Sequence, residues 1–160
     1  MFDRYVANLS LQIVEKPEKM LQETYRVLRP EGIAAFSVWA DRDACTLYKL
    51  YELNNKAVIP PPDVAIRSAF HLGDKNLLKM MVKNAGFKRV LCFTEPYYLY
   101  WDADEAIQIL SQQPDIANKV KTYPELAEVY MQNLEVSIRK HILEGEEPLC
   151  FAAYVIIAYK

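Results

Sequence analysis

Residues 2–32 read FDRYVANLSLQIVEKPEKMLQETYRVLRPEG, and this stretch decides the fold. Tyr5 to Leu11 (YVANLSL) is short, β-compatible and apolar on both faces. That is the pattern of an interior parallel strand, covered on both sides. Lys16-Pro17-Glu18 opens a helix, since proline is tolerated in a first turn whose N–H groups lack helical partners. Met20, Leu21, Tyr25, Val27 and Leu28 recur near helical spacing and give that helix an apolar face. Pro30 and Gly32 are expected to stop it. Ile33 to Ala40 (IAAFSVWA) reads as a second buried strand. Strand, helix and strand in this order predict a right-handed βαβ unit.

Further along, Ala44 to Leu53 reads as helical. Pro60-Pro61-Pro62 is a stiff, polyproline-like break, placed in a loop within one domain. Asp74 is positioned to cap a helix from Lys75 to Asn84 that ends at Gly86. Arg89 to Phe93 predicts a third strand, which Pro96 is expected to interrupt before the run Tyr97-Tyr98-Leu99-Tyr100-Trp101. Asp104 to Gln112 predicts a short helix and Pro124 to Leu143 a longer one. The longer helix carries an apolar stripe of Leu126, Val129, Tyr130, Leu134, Ile138 and Ile142. Glu135, Arg139, Lys140 and Glu144 form its solvated face. Leu149 to Tyr159 (LCFAAYVIIAY) is the last predicted strand.

Composition narrows the class. With 52% hydrophobic and 25% charged residues, the 160-residue chain reads as one ordinary globular domain with a real core. A net charge of -2 argues against nucleic acid as a partner. Cys45, Cys92 and Cys150 are widely spaced and odd in number, which points to reduced thiols and a cytoplasmic setting. His71 and His141 are far apart, so no metal constellation is expected. No apolar stretch approaches the roughly 20 residues of a membrane span. No basic-then-apolar leader is visible at the N-terminus.

Several pieces follow a known pattern in order. FDRYVANLSLQIV resembles the fourth strand, and the motif after it, of the class I S-adenosylmethionine-dependent methyltransferases, in their UbiE-like, type 11 group. PEKMLQETYRVLRPEG resembles that family's next helix and turn, and FSVWADRD the end of its fifth strand. FHLGDKNLLKMMVKNAGFKRV resembles the helix and AGF turn before the sixth strand, and VIIAYK the closing seventh. The chain departs from the pattern at Glu31-Gly32, where the family usually has two glycines, and at Gln12, where histidine is common.

The resemblance implies an α/β fold with a partial Rossmann-like sheet. Its strand order would be 4-5-7-6, with the last strand antiparallel and helices flanking. Residues 102–148 would form a helical, lid-like insertion before that strand. The implied cofactor is S-adenosylmethionine. The family's glycine-rich loop uses its glycines to let the backbone approach the ligand, and an acidic residue accepts the ribose hydroxyls. Gly32, Gly73, Gly86 and Gly145 are all isolated, so none builds such a loop within these residues.

In this resemblance Asn8, Leu9 and Ser10 would touch the cofactor. Gln12, Ser37, Trp39 and Tyr98 would line the substrate cleft, beyond the carboxyl ends of the strands. The plainer alternative is that Asn8 and Ser10 satisfy local backbone groups. Neither Asn8 nor Gln12 titrates, so no catalytic residue is assigned. The Tyr97–Trp101 run is either a substrate-facing wall or the two faces of an edge strand, and the second is preferred. Likewise the Leu126–Ile142 stripe is expected to pack on its own sheet, in preference to a partner.

A sheet ordered 4-5-7-6 leaves Tyr5–Leu11 as an edge with the residues of a central strand. It has no proline, lysine or inward charge in its middle to prevent pairing. Tyr5, Val6, Leu9 and Leu11 are therefore the expected interface, covered in a homodimer or by a partner chain. The expected function is that of a methyltransferase-like assembly or binding module, non-catalytic alone. The alternative is a small-molecule methyltransferase whose cofactor-binding half comes from elsewhere.

Overall fold

The computed structural model describes residues 1–61, 67–145 and 148–160. Strand β1 (Phe2–Ala7), helix α1 (Pro17–Val27) and strand β2 (Leu28–Trp39) form the opening β-α-β unit. The two strands pair in parallel, with Arg4 opposite Ile33, Val6 opposite Ala35 and Ala7 opposite Phe36. Helices α2 (Thr46–Val58) and α3 (Lys75–Asn84) precede strand β3 (Arg89–Leu99). Helices α4 (Ala103–Ser111), α5 (Pro114–Thr122) and α6 (Ala127–Glu144) lead to strand β4 (Leu149–Tyr159). β4 lies antiparallel to β2, from Ile33 opposite Tyr159 to Trp39 opposite Ala153. Among the described residues the four-stranded sheet is ordered β1-β2-β4-β3. This is the order 4-5-7-6 expected from the sequence, with an antiparallel last strand.

The chain divides into two compact units. One comprises Met1–Ala44, Arg67–Pro96 and Ala152–Lys160; the other comprises Cys45–Ile66 and Tyr97–Phe151.

In the first unit, Ala34, Phe36 and Val38 of β2 and Tyr154, Ile156 and Ala158 of β4 are buried at alternate positions. Period-two burial of this kind fixes the register, because a one-residue slip would turn the whole row outward. The Phe36 ring lies 5.8 Å from Tyr5 and 6.5 Å from Phe87, which meets Tyr25 edge-on at 5.3 Å. Helix α1 turns Leu21 and Thr24 inward. Its carboxyl end is held from the far end of the chain: Lys160 Nζ donates to Tyr25 O (2.6 Å) and Leu28 O (2.7 Å). A cation there satisfies carbonyls that the helix leaves unpaired and complements its dipole. Asp74 caps α3 as expected, accepting from the backbone N–H groups of Asn76 (2.8 Å) and Leu77 (3.0 Å). Gly86 follows α3 with φ +111°, and a Cβ there would meet the Tyr25 ring at 3.0 Å. Only glycine suits both demands.

The second unit has its own core. Tyr130, Leu134 and Ile138 of α6 bury against Leu47, Leu99, Ala106, Leu110, Ile116 and Leu149. The α6 stripe thus meets mainly the helices α2, α4 and α5, not a sheet as the sequence reading had it. Val129 at its margin is 50% exposed. Asn54 Nδ2 donates to Tyr130 O (3.1 Å), and the Tyr130 hydroxyl donates to Asn55 Oδ1 (2.9 Å). Arg139 pairs with Glu135 (2.8 Å) and Asp104 (2.7 Å) on the solvated side.

The sequence reading is corrected at five elements. β1 ends at Ala7, so Leu9 and Leu11 are not on the edge strand. Leu9 takes φ 48°, the chain turns, and Leu11 becomes fully buried. Helix α1 ends at Val27, and Arg29–Gly32 form an irregular loop inside β2, with Phe2 opposite Leu28 but Arg4 already opposite Ile33. β3 runs straight through Pro96, and β3 is an edge strand, where a proline's missing N–H is tolerated. Helix α5, with Pro114 in its first turn, occupies a stretch to which the sequence reading assigned no element. α2 also continues to Val58, and Pro62 of the proline break lies outside the described residues.

Candidate functional site

β1 and β2 run in the same direction, so their carboxyl ends come together. Three side chains meet there. The Ser37 hydroxyl donates to Asn8 Oδ1 at 2.5 Å and accepts from the Leu9 N–H at 2.9 Å. The Ser10 hydroxyl donates to Asn8 O at 2.8 Å. Two residues further along β2, the Trp39 N–H donates to Gln12 Oε1 at 3.2 Å. Ser37 and Gln12 are both buried. A buried hydroxyl or amide must find partners or carry a desolvation cost, and here each finds one in the neighbouring strand end.

The structure therefore gathers Asn8, Leu9, Ser10, Gln12, Ser37 and Trp39 at one place. Tyr98 belongs to the other compact unit, near the end of β3, where its ring lies 6.4 Å from Tyr100. Tyr97, Tyr98 and Tyr100 are all largely exposed.

Two clefts border the strand ends. The smaller, about 470 Å³, is lined by Leu9, Gln12, Ile13, Trp39 and Arg67 among others. Arg67 was not singled out by the sequence. Its guanidinium donates to Glu15 O and Val14 O, both at 3.0 Å, and contacts His71 Nε2. No motif marks Arg67, because its partners are backbone carbonyls more than fifty positions away. The larger cleft, about 780 Å³, is polar and includes Asp41, Arg42, His71, Asp74, Lys75 and Tyr154. Arg42 Nη2 donates to Ser68 Oγ (3.1 Å), and the Arg42 guanidinium lies over the Phe70 ring at 5.5 Å.

No group of three metal-binding side chains occurs among the described residues. Cys45 and Cys150 are buried thiols, and burial also pushes the Cys92 thiol upward in pKa. No helix among the described residues is long and apolar enough to cross a membrane.

Comparison with known proteins supports the resemblance. A family described as a methyltransferase domain matches residues 1–36, which end within β2. The ubiquinone/menaquinone biosynthesis C-methyltransferase UbiE of Ruegeria sp. (strain TM1040) is 30% identical over 98 residues, covering 54% of this chain and 39% of that protein. The chain thus spans well under half the length of that relative. Among solved structures, a SAM-dependent methyltransferase from Thermotoga maritima aligns with 99% of this chain and 56% of its own, at 16% identity and a TM-score of 0.48. A phosphoethanolamine N-methyltransferase 2 of Haemonchus contortus, in complex with phosphomonomethylethanolamine and S-adenosylhomocysteine, aligns with 99% of this chain and 33% of its own, at 13% identity and a TM-score of 0.45.

The family match to residues 1–36, the UbiE relative and the sheet order support the resemblance to class I S-adenosylmethionine-dependent methyltransferases, and that resemblance implies S-adenosylmethionine as the cofactor. The residues present fit that cofactor only in part. The strand ends offer Asn8, Leu9 and Ser10, but the four glycines sit singly, at the loop in β2 and beside helix ends. No backbone cradle for the cofactor exists among the described residues.

Proposed function

We propose that these residues form the substrate-side half of a methyltransferase-like domain, unable to hold S-adenosylmethionine alone. Its role is assembly or binding through the open edge of β1. The observation that carries this reading is Val6, 75% exposed near the carboxyl end of β1, beside Tyr5 and Ala7. Phe2 is also 62% exposed, with Arg4 between the two. A free edge of this composition pairs with another strand, from a second copy of the chain or from a partner. Tyr5 and Val6 are the contacts. The site geometry agrees: Asn8, Ser37 and Gln12 have their hydrogen bonds within the chain, so they stand complete without a ligand. Under this reading the module is a cytoplasmic homodimer without methyl-transfer activity of its own.

A second reading has a specific observation in its favour. The cleft beside Leu9, Gln12 and Trp39 lies beyond the carboxyl ends of β1 and β2, where ligands of open α/β sheets bind. If another segment or chain supplies the glycine-rich loop, Asn8, Leu9 and Ser10 would face the cofactor. Gln12, Ser37, Trp39 and Tyr98 would face the substrate.

Calorimetric titration of the folded 160-residue chain with S-adenosylhomocysteine separates the two. No heat is expected from the chain alone. Micromolar binding would sink the first reading. Binding that appears only when a chain with a G-x-G loop is added would favour the second.

A further inference from the structure

The second compact unit contains a cleft that the methyltransferase resemblance does not use. It is about 320 Å³ and is lined by Tyr48 and Tyr51 of α2, Trp101, Asp115 of α5 and Phe151 of β4, among others. Tyr48 meets Tyr51 edge-to-face at 6.3 Å and 76°, and meets Phe151 at 5.6 Å and 71°. Rings set at steep angles to one another make adjoining walls, not a stack. The indole of Trp101 adds a fourth aromatic surface, and the Asp115 carboxylate adds a negative charge at an exposed position.

Two observations distinguish this cleft from ordinary core packing. The Tyr51 hydroxyl oxygen is buried and has no hydrogen-bond partner, although such groups are nearly always satisfied. The electrostatics are also one-sided. Burial pushes the Tyr51 hydroxyl pKa strongly upward, and the carboxylate of Asp115 acts in the same direction. Tyr48 is raised first by burial and then by Asp115 as well. The one charged side chain lining the cleft is the Asp115 carboxylate, and no cationic side chain lines it.

We propose that this cleft binds a small methylated ammonium cation. The π faces of aromatic rings attract a diffuse positive charge, and methyl groups fill the apolar space between them. A primary ammonium would lose hydrogen bonds to water on entering. A quaternary one has no N–H to satisfy, so it suits a box of rings with a single carboxylate at its edge. Asp115 supplies long-range attraction without needing a direct hydrogen bond. This site lies wholly within the second compact unit.

The test uses choline and its neutral isostere 3,3-dimethyl-1-butanol, titrated into the 160-residue chain while tryptophan fluorescence is read. Saturable quenching by choline is expected, and the neutral probe should bind about tenfold more weakly, within the range of a desolvated cation–π contact. Trp39→Phe should retain the signal, which assigns it to Trp101. Asp115→Asn, at an exposed position, should weaken choline by roughly threefold and leave the neutral probe unchanged. Tyr51→Phe removes the unpaired hydroxyl but keeps the ring, and should bind choline at least as well. Equal affinity for the two probes would make the cleft merely apolar and overturn the proposal. So would the absence of saturable quenching in a chain that melts cooperatively. An Asp115→Asn chain that binds choline as tightly as the parent would overturn the part given to Asp115.

Discussion

β3 closes one side of the sheet with Arg89 at its start and Glu95-Pro96 towards its end, whereas β1 closes the other with Tyr5-Val6-Ala7. Both strands are edges, and both expose apolar side chains: Phe93 is 45% and Val6 75% exposed. The difference lies in what would happen if another strand approached. Pro96 removes a backbone donor from β3, and Glu95 brings charge, two devices that discourage pairing at an edge. β1 has charge in its first half, Asp3 paired with Arg29 and then Arg4. Its last residues, Tyr5-Val6-Ala7, offer no obstacle. An edge that is guarded is built to remain an edge, and an unguarded one is built to be covered.

Substitution at Val6 is the strongest way to break this comparison. Val6→Lys places a charge in the middle of the unguarded edge. If two copies pair through β1, each loses a buried valine worth about 1.5–3 kcal/mol, so the association constant should fall by at least roughly a hundredfold. Sedimentation velocity reads this directly. Thr94→Lys on β3 should leave the mass unchanged. Val6→Lys with the mass and melting of the parent would mean that β1 is as finished an edge as β3.

Leu11 gives the next largest effect, and it explains where the sequence misled. YVANLSL is apolar throughout, and a continuous apolar run does not say where a strand ends. Asn8 and Ser37 decide it. Their hydrogen bond, together with Leu9 at φ 48°, turns the chain after Ala7 and drives Leu11 into the interior. Leu11→Ala should therefore cost about 2–5 kcal/mol of stability, as a core truncation, and leave the association constant alone. Ile13→Ala, at a position 78% exposed, should stay within about 0.5 kcal/mol. Urea denaturation of the two variants compares them. A Leu11→Ala chain with normal stability but altered mass would return Leu11 to the edge.

Much of the remaining fold was legible for identifiable reasons. The β4 segment is bounded by charged residues and has unbroken β-formers, and Asp74 has the spacing of a helix cap. Period and cap are local signals. The misreadings all involve a local signal overruled by its surroundings. Pro96 reads as a breaker until the strand is known to be an edge. RVLRPEG reads as a helix stop at Pro30, but pairing of Leu28 with Phe2 brings β2 forward to Leu28. Pro114-Asp115 is a sound helix start that was passed over because no strong apolar period follows it. At the site, Asn8, Gln12, Ser37 and Trp39 were found through the resemblance. Arg67 was not, because its hydrogen bonds to Val14 and Glu15 depend on loop geometry that no spacing encodes.

Ser37→Ala sharpens the same point at smaller scale. It removes one hydroxyl that both donates to Asn8 and accepts from Leu9, leaving buried polar groups unpaired at a cost of about 1–3 kcal/mol. If the strand-end polar group is chiefly structural, melting falls by that amount and nothing else changes. A variant with parental stability would instead mean that the hydroxyl is free for a ligand, which favours the split-enzyme reading.

The smallest effect on stability is expected at Pro96, and it tests the guarded edge directly. Pro96→Val restores a backbone N–H to β3 and adds a β-branched side chain suited to a strand. Nothing in the core is disturbed, because residue 96 is exposed. Urea stability should stay within about 0.5 kcal/mol of the parent. Association should nonetheless change: light scattering at rising concentration should reveal pairing through a second edge, which the parent lacks. Combined with Val6→Lys, the variant would have its unguarded edge moved from β1 to β3, and its oligomers should survive the lysine. If Pro96→Val chains scatter like the parent at every concentration, proline is not what keeps β3 solitary. The exposed charge of Glu95 would then have to carry that role.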